Sequence, residues 1–459
     1  MDRQTNRSEM EKALNPTRFT LPHKINRRIL VFLYCTLAAC SSDVSVESDE
    51  SFTIVMLPDT QNAVDYTRQK TEGFAIDSSN IFIQQMSDIA SKSTSNGGKV
   101  VFVSSVGDVW QHVTSNKDTD HFARGVDAIE SQEFGFQQLV RPEGTLNFEL
   151  PKSVEGYTLL DNANLPFGVA PGNHDYDAWW AVALESENLR ADSANLNSEV
   201  LPEDYKIHVG GLNNFCSVFG SDSDFYRDKD WYIDGYQCGG SSAQLFSAGG
   251  YRFLHFALEM QAGEDVVNWA RQIVKDHLEL PTIISTHDYL NPQGQRLPNS
   301  DMDLALVDPV GNNSSEELWR DFISNTDQIF MILSGHQPGQ AVRIDKNDFG
   351  HEVYQILADF QDRGQAGLDG GQPPTPRGTA VPIGDGWYRE MNFDLAGETP
   401  QVEIRTYSSH YKSYSSDLET YALWYKSAEQ PDMTDSEFLT ADEFTIELID
   451  FHTRYGTSN

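Results

Sequence analysis

Nine side chains carry most of the chemistry open to this sequence. Gly172-Asn173-His174-Asp175-Tyr176 sets an amide oxygen, an imidazole and a carboxylate in adjacent positions, after an apolar run from Leu165 to Ala170 broken by Pro171. Three consecutive side chains cannot all point inward from a strand, whose faces alternate. They belong to a loop just past one, where Gly172 allows a tight turn. The arrangement recurs. Asp59 and Gln61 follow Phe52 to Leu57, Asp108 and His112 follow Lys99 to Val106, His287 follows Thr282 to Ser285, and His336 follows Ile329 to Leu333. Five apolar strands thus each end in a metal-competent side chain: Asp59, Asp108, Asn173, His287 and His336. Unbroken apolar runs mark buried parallel strands, and ligands of open α/β sheets bind at the carboxyl ends of such strands. The five residues are therefore expected along one edge of one sheet. Singly, each also fits a turn, a helix cap or a satisfied core histidine; the signal lies in the repetition.

Hard oxygen and imidazole ligands suit one or two divalent ions, zinc, manganese or iron, and a carboxylate can bridge a pair. Two such ions lower the pKa of a bound water and hold phosphoryl oxygens for in-line attack. His174 stands beside the ligands rather than among them. From there it can protonate a leaving oxygen or stabilise a negative transition state, with Asp175 fixing its tautomer.

The ordered set resembles the calcineurin-like metallophosphoesterases, whose motifs run Asp-x-His, Gly-Asp, Gly-Asn-His-Asp/Glu, a lone His, and Gly-His-x-His. Here they read Asp59-Thr60-Gln61, Gly107-Asp108, Gly172-Asn173-His174-Asp175, His287, and Gly335-His336-Gln337-Pro338, across residues 52–340. The resemblance implies a four-layer α/β/β/α sandwich of two mixed sheets and hydrolysis of phosphomonoesters or phosphodiesters. It also implies that Asp108 bridges while Asn173, His287 and His336 complete one metal site. Two positions depart from the pattern. Gln61 and Pro338 stand where the family has histidines, both of them ligands of the other metal site. That site keeps Asp59 and Asp108; Gln61 can ligate through its amide oxygen, and His112 from the loop after Asp108. The Leu57-Pro58-Asp59-Thr60-Gln61 opening looks like a bacterial lipoprotein branch that carries glutamine as its own pattern. The depleted site leaves a second reading, a surface lipoprotein that binds metal and a phosphate or glycan without turnover.

The remaining elements position these loops. Residues 80–93 and 264–277 carry apolar side chains at helical spacing, a helix is expected over 122–139, and Ser314 with Glu317 forms a capping box. Residues 177–250 are rich in Ser, Asn, Asp, Gly and aromatics and read as a long insertion shaping one wall of the site. With 288–312 and 361–386 it would set specificity. Trp179-Trp180 and Trp231-Tyr232 within it can stack on a sugar or simply pack the insertion. From 351 to 455 the strands read as antiparallel, within one catalytic domain over 51–455.

Lys24, Arg27 and Arg28 precede an apolar run, Ile29 to Ala39, too short to span a bilayer and suited to a signal peptide. It ends Leu37-Ala38-Ala39-Cys40, a lipobox pattern that predicts lipid anchorage of Cys40, a leader over 1–40, a tether over 41–50, and an outer-membrane lipoprotein of the bacterial envelope. Cys216 and Cys238 then remain, and in an exported chain they read as one disulfide worth about 3 kcal/mol. The net charge is −36, and residues 1–40 carry seven Lys/Arg against three Asp/Glu, leaving −36 − 4 = −40 for the rest. So acidic a surface repels nucleic acid and anionic lipid. The substrate expected is a phosphorylated small molecule, glycan or lipid headgroup.

Overall fold

Two large mixed sheets organise the protein, with helices against them. The computed structural model describes residues 51–115, 128–130, 138–183, 205–308 and 311–456. They fall within one unit, Glu47–Asn459. The leader, Cys40 and the tether lie outside the described residues. No helix among those described is long and apolar enough to cross a membrane.

The first sheet is built on three parallel strands, β1 (Ser51–Leu57), β2 (Val100–Ser105) and β4 (Phe167–Val169). Beyond β1 it continues antiparallel through β14 (Trp387–Asp394) to β15 (Gln401–Ser408), which pairs with both β16 (Ser413–Tyr414) and β17 (Phe444–Glu447). The second sheet carries four parallel strands, β9 (Tyr251–Ala257), β10 (Thr282–Ser285), β11 (Ile329–Ser334) and β13 (Glu352–Asp359). Antiparallel strands flank them: β12 (Gly339–Lys346) on β13, and β8 (Ser241–Ala248) and β7 (Tyr232–Tyr236) beyond β9. A third sheet joins β3 (Ala128–Glu130), β5 (Ala178–Ala183) and β6 (Tyr205–Gly210).

The apolar runs explain the layering. Every residue of β10 and β11 is buried, as is β1 after Ser51, so both faces of these strands are covered. One core holds Ile54, Met56 and Phe102 of the first sheet together with Phe253, Ile283 and Phe330 of the second. The other face of the first sheet packs Val55 and Val103 against Phe82 and Met86 of the helix Ser79–Ser91 and Tyr157 of the helix Leu150–Asn162. The other face of the second sheet packs Phe256 and Ile284 against Val266, Ala270 and Ile273 of the helix Glu264–Asp276.

Three expectations need correction. The stretch 177–250 is not one insertion: β7 and β8 extend the second sheet, and among its described residues β5, β6 and the helix Asn213–Phe219 stand apart from it. Its Cys216–Cys238 disulfide is present. The helix expected over 122–139 falls mostly outside the described residues. Its described part includes strand β3, while a helix forms at Leu150–Asn162. The segment 351–455 is not antiparallel throughout, because β13 lies parallel to β11. A strand's direction follows from its crossover and not from its own residues.

Beneath the site, one buried histidine ties the sheets together. His255 of β9 donates from Nδ1 to Gln244 Oε1 at 2.7 Å, and its Nε2 meets Ser285 Oγ at 2.7 Å and Ser104 Oγ of the first sheet at 3.2 Å. Gly168 leaves room for the ring, since a Cβ there would sit 2.5 Å from it. Burial holds the His255 pKa down to about 3, so the ring is neutral in the folded protein. The unfolded chain takes up this proton near pH 6.5, so the contribution is complete above that pH and drains away as pH falls towards 3. We expect His255→Gln, neutral at every pH, to flatten the acid limb of a stability-versus-pH curve by on the order of 1.4 kcal/mol per pH unit. Parallel acid limbs in denaturant melts would contradict this.

Candidate metal centre

The loops that carry the nine residues leave the carboxyl ends of parallel strands, but from both sheets. Asp59, Asp108 and Asn173 follow β1, β2 and β4; His287 and His336 follow β10 and β11. The single shared edge expected from the sequence is instead a meeting of two edges. Backbone bonds lock the loops within each sheet: Thr60 and Gln61 N–H groups donate to Asp108 O at 3.0 and 2.8 Å, and Gly335 N–H to His287 O at 2.9 Å. Asp108 and His336 both adopt left-handed backbone, with φ of 53° and 73°, which turns their side chains out of the strand path. Gly172 permits close approach, because a Cβ there would lie 2.2 Å from Asp108 Oδ1.

Four donors converge in the histidine-rich half. His287 Nδ1 lies 2.8 Å from the Val106 carbonyl, which can only accept, so Nδ1 carries the proton. Nε2 therefore presents a lone pair. It faces Asn173 Oδ1 at 2.9 Å, His336 Nδ1 at 3.1 Å and Asp108 Oδ1 at 3.3 Å. Lone pairs this close repel unless a cation lies among them, and either a proton or a metal ion meets that need. Without a metal, a second proton on His287 serves: burial opposes the charged ring, but Asp108 beside it raises the pKa to about 9. Burial would by itself raise Asp108, yet His287 and His174 hold its carboxyl well below the usual range. Burial presses His336 down to about 4, which keeps it neutral and ligand-ready, and its buried Nε2 has no hydrogen-bond partner. Asp108, His287 and His336 each offer a ligand atom within 4.8 Å of the others. This donor set fits a divalent ion.

Asp59 and Gln61 form the other half. Asp59 Oδ2 accepts the His336 N–H at 2.8 Å, and Asp59 Oδ1 lies 3.7 Å from His287 Nδ1. Gln61 Nε2 donates to Asp108 Oδ2 at 2.9 Å and to Gln361 Oε1. Two residues here escaped the sequence reading. Asp359 ends β13 and touches Asp59, and Gln361 holds it through N–H to Oδ1 and Nε2–H to Oδ2, both at 2.9 Å. The signal was present, an apolar strand closed by an aspartate, but it was hidden by reading β13 as antiparallel.

His112 is not part of the centre. Its Nδ1 meets Glu149 Oε1 at 2.6 Å, in a buried group with Asp65. Those carboxylates already have donors: Thr67 and Arg68 for Asp65, and Tyr66, Gln111 and His112 for Glu149. Nor does Asp175 orient His174. Asp175 instead accepts from Val109 N–H and Gly172 N–H, both at 2.8 Å, and so ties two site loops together. Burial, then the Asp108 charge, raises its pKa to about 8. His174 takes its orientation from the Gln111 carbonyl, 2.5 Å from Nδ1, and from the Trp179 ring, edge-on with centroids 4.8 Å apart. Nδ1 thus carries the proton and Nε2 is the free nitrogen.

Over this centre lies a cavity of about 290 Å³. Asp108, Asn173, His174 and His336 form its polar base; Trp179, Ile207 and Met302 form apolar wall. Asn299 and Asp301 of the 288–312 loop and Gln361 of the 361–386 loop also line it. Trp180 instead is buried and stacked on His208, and Trp231 packs on Phe167 and Tyr226, so neither is a sugar platform.

No family model matches the chain. It is 24% identical to the uncharacterized protein YvnB of Bacillus subtilis over 271 residues, 58% of this chain and 16% of YvnB. The chain thus spans about a sixth of that relative's length. Among solved structures it is similar to a dimetal phosphatase from Danio rerio, at 10% identity and a TM-score of 0.35, over 78% of this chain and 96% of that one. It is also similar to GAP50, the anchor in the inner membrane complex of Plasmodium, at 10% identity and a TM-score of 0.32, over 79% and 86%.

The packing at Gly172 gives a direct check. In Gly172→Ala the new methyl must displace Asp108 Oδ1, so divalent-metal affinity measured by calorimetry falls at least tenfold, with about 1–3 kcal/mol of stability lost. Unchanged metal affinity would show that Asp108 is not a ligand.

Proposed function

We propose that this protein hydrolyses phosphoester bonds, mono- or diesters, at a divalent-metal centre in an α/β/β/α sandwich. The observation that carries the reading is the convergence of His336 Nδ1, Asn173 Oδ1 and Asp108 Oδ1 on the buried His287 Nε2, with Asp108, Asn173 and His336 also lining a cavity beside His174. Asp108, Asn173, His287 and His336 would hold one ion, with Asp59 and Gln61 beside it. A bound ion there would supply an activated water and charge stabilisation for the phosphoryl group.

The chain's own groups do the rest. Asp108 stays ionised, its Oδ1 accepting the His174 N–H at 2.9 Å, so the histidine backbone is tied to the ligand set. His174 holds its Nδ1 proton on Gln111 O and turns Nε2 away from that bond; protonated at Nε2, it can pass a proton to a leaving oxygen in the cavity. The cavity is at the small end for ligand sites, which suits a phosphate with a short leaving group or the exposed end of a longer one. The acidic surface argues against nucleic-acid substrates. Anchorage through Cys40 would place the reaction in the bacterial envelope.

The second reading, metal and phosphate or glycan capture without turnover, is favoured by Gln61 and Pro338. Both readings meet one experiment. The purified protein is stripped, reloaded with manganese, zinc or iron, and offered a chromogenic phosphomonoester and the matching diester. We expect metal-dependent turnover that falls 10²- to 10⁴-fold in His174→Ala at unchanged metal content, and that is lost with the metal in Asn173→Ala. Phosphate binding without turnover under every loading would sink hydrolysis in favour of capture.

A further inference from the structure

A buried carboxylate that the chemistry above leaves unused stands one peptide away from His174. We propose that Glu149 is the positioning residue for His174, acting through the peptide unit that joins Gln111 to His112. Its bearing on turnover rests on the hydrolytic reading above; the orientation it imposes does not.

A peptide unit is planar, and in its trans form the N–H and the C=O point in opposite directions. The Gln111–His112 unit is held at both ends. Its C=O accepts the His174 Nδ1–H at 2.5 Å, and its N–H donates to Glu149 Oε2 at 2.9 Å. The plane cannot rotate without breaking one bond or the other. A carboxylate on one side therefore sets the aim of the acceptor on the other. Oε2 also takes the Gln111 N–H at 3.2 Å, so a single oxygen spans two successive backbone donors. Oε1 receives His112 Nδ1–H at 2.6 Å and Tyr66 N–H at 3.1 Å. Thr145 Oγ1–H closes the frame, donating to the His112 carbonyl at 2.8 Å.

The frame is anchored outside the site. Glu149 is 0% exposed and stands at the start of the helix Leu150–Asn162, whose Tyr157 and Leu160 pack on the outer face of the first sheet. The carboxylate thus reaches the loop after β2 from a fixed element, not from the loop itself. The buried Asp65–His112–Glu149 group, close-set enough for an ion, acquires a different use: the His112 ring and the Glu149 oxygens hold each other and the loop.

Charge adds to geometry. Linked hydrogen bonds polarise one another, and a charged acceptor makes the stronger ones. A carboxylate drawing on the His112 N–H enriches the Gln111 oxygen, which keeps the His174 proton on Nδ1 and leaves Nε2 free. Asp175, beside His174 in sequence, has its oxygens on Val109 N–H and Gly172 N–H instead. The imidazole's carboxylate comes from a helix, with a peptide interposed.

The His174 ring reports on this directly. The metal-free full chain is prepared with isotope-labelled histidine, in buffer above the usual histidine range. Nuclear magnetic resonance should show His174 as the Nδ1–H tautomer with its proton shifted downfield, and His174→Ala assigns the signal. Glu149→Gln keeps the shape but removes the charge and one acceptor oxygen. It should move the Nδ1–H upfield and raise the Nε2–H tautomer. Glu149→Asp, whose carboxylate falls short of the loop, should do the same, and it carries the test if Glu149→Gln does not fold. With manganese or zinc loaded, metal content should hold while kcat falls up to about 10²-fold. The loss should be larger for an alkyl phosphoester than for a nitrophenyl one, because the poorer leaving group needs the proton. A His174 signal unchanged in both variants overturns the proposal. So does an equal loss on the two esters, which would mark Glu149 as loop support alone. A signal that responds in protein without turnover under any loading leaves the orientation standing and removes the hydrolytic reading.

Discussion

Everything at this centre depends on the burial of Asp108 among groups that keep it charged. A carboxylate 1% exposed is costly unless something positive faces it. Here His287, the Gln61 amide and the His174 backbone N–H face it. Each comes from a different loop, and the loops come from both sheets. Asp108 thus joins the two carboxyl edges at their meeting point, and the left-handed turn at Asp108 is what swings it there. The same groups that satisfy the carboxylate form the donor set for a cation. Fold and site are linked through one side chain.

The supporting structure is arranged to hold those loops rigid. Asp175 clips the Asn173 loop to the Asp108 loop, and Asp59 receives the His336 backbone across the sheet boundary. His255 with Ser104 and Ser285 ties β9 and β10 to β2 one layer below. Buried polar groups that are fully paired fix one arrangement of a core, and these bridges fix the register of one sheet against the other. The third sheet reaches the site from the side. Through Trp179 and Ile207 it forms a wall of the cavity above His174.

Much of the site was legible in the sequence, because apolar runs closed by a metal-competent residue are visible without a structure. Asp59, Asp108, Asn173, His287 and His336 all come together on that rule. The failures have physical causes. Asp359 obeyed the same rule and was missed, because nothing local in Val353 to Ala358 reports whether the strand runs parallel. His112 was misplaced because its partner Glu149 lies on a helical stretch whose start the local pattern did not show. Asp175 was paired with its neighbour in sequence, whereas a turn sends consecutive side chains apart. Two sheets in place of one shared edge was likewise beyond periodicity, since strand order is set by long-range pairing.

The most direct measurement is a crystal of the protein soaked in manganese or zinc, with anomalous diffraction recorded at the metal edge. The account predicts a peak bounded by His287 Nε2, His336 Nδ1, Asn173 Oδ1 and Asp108. No peak there at saturating metal, or density only beside Asp65, His112 and Glu149, would contradict it.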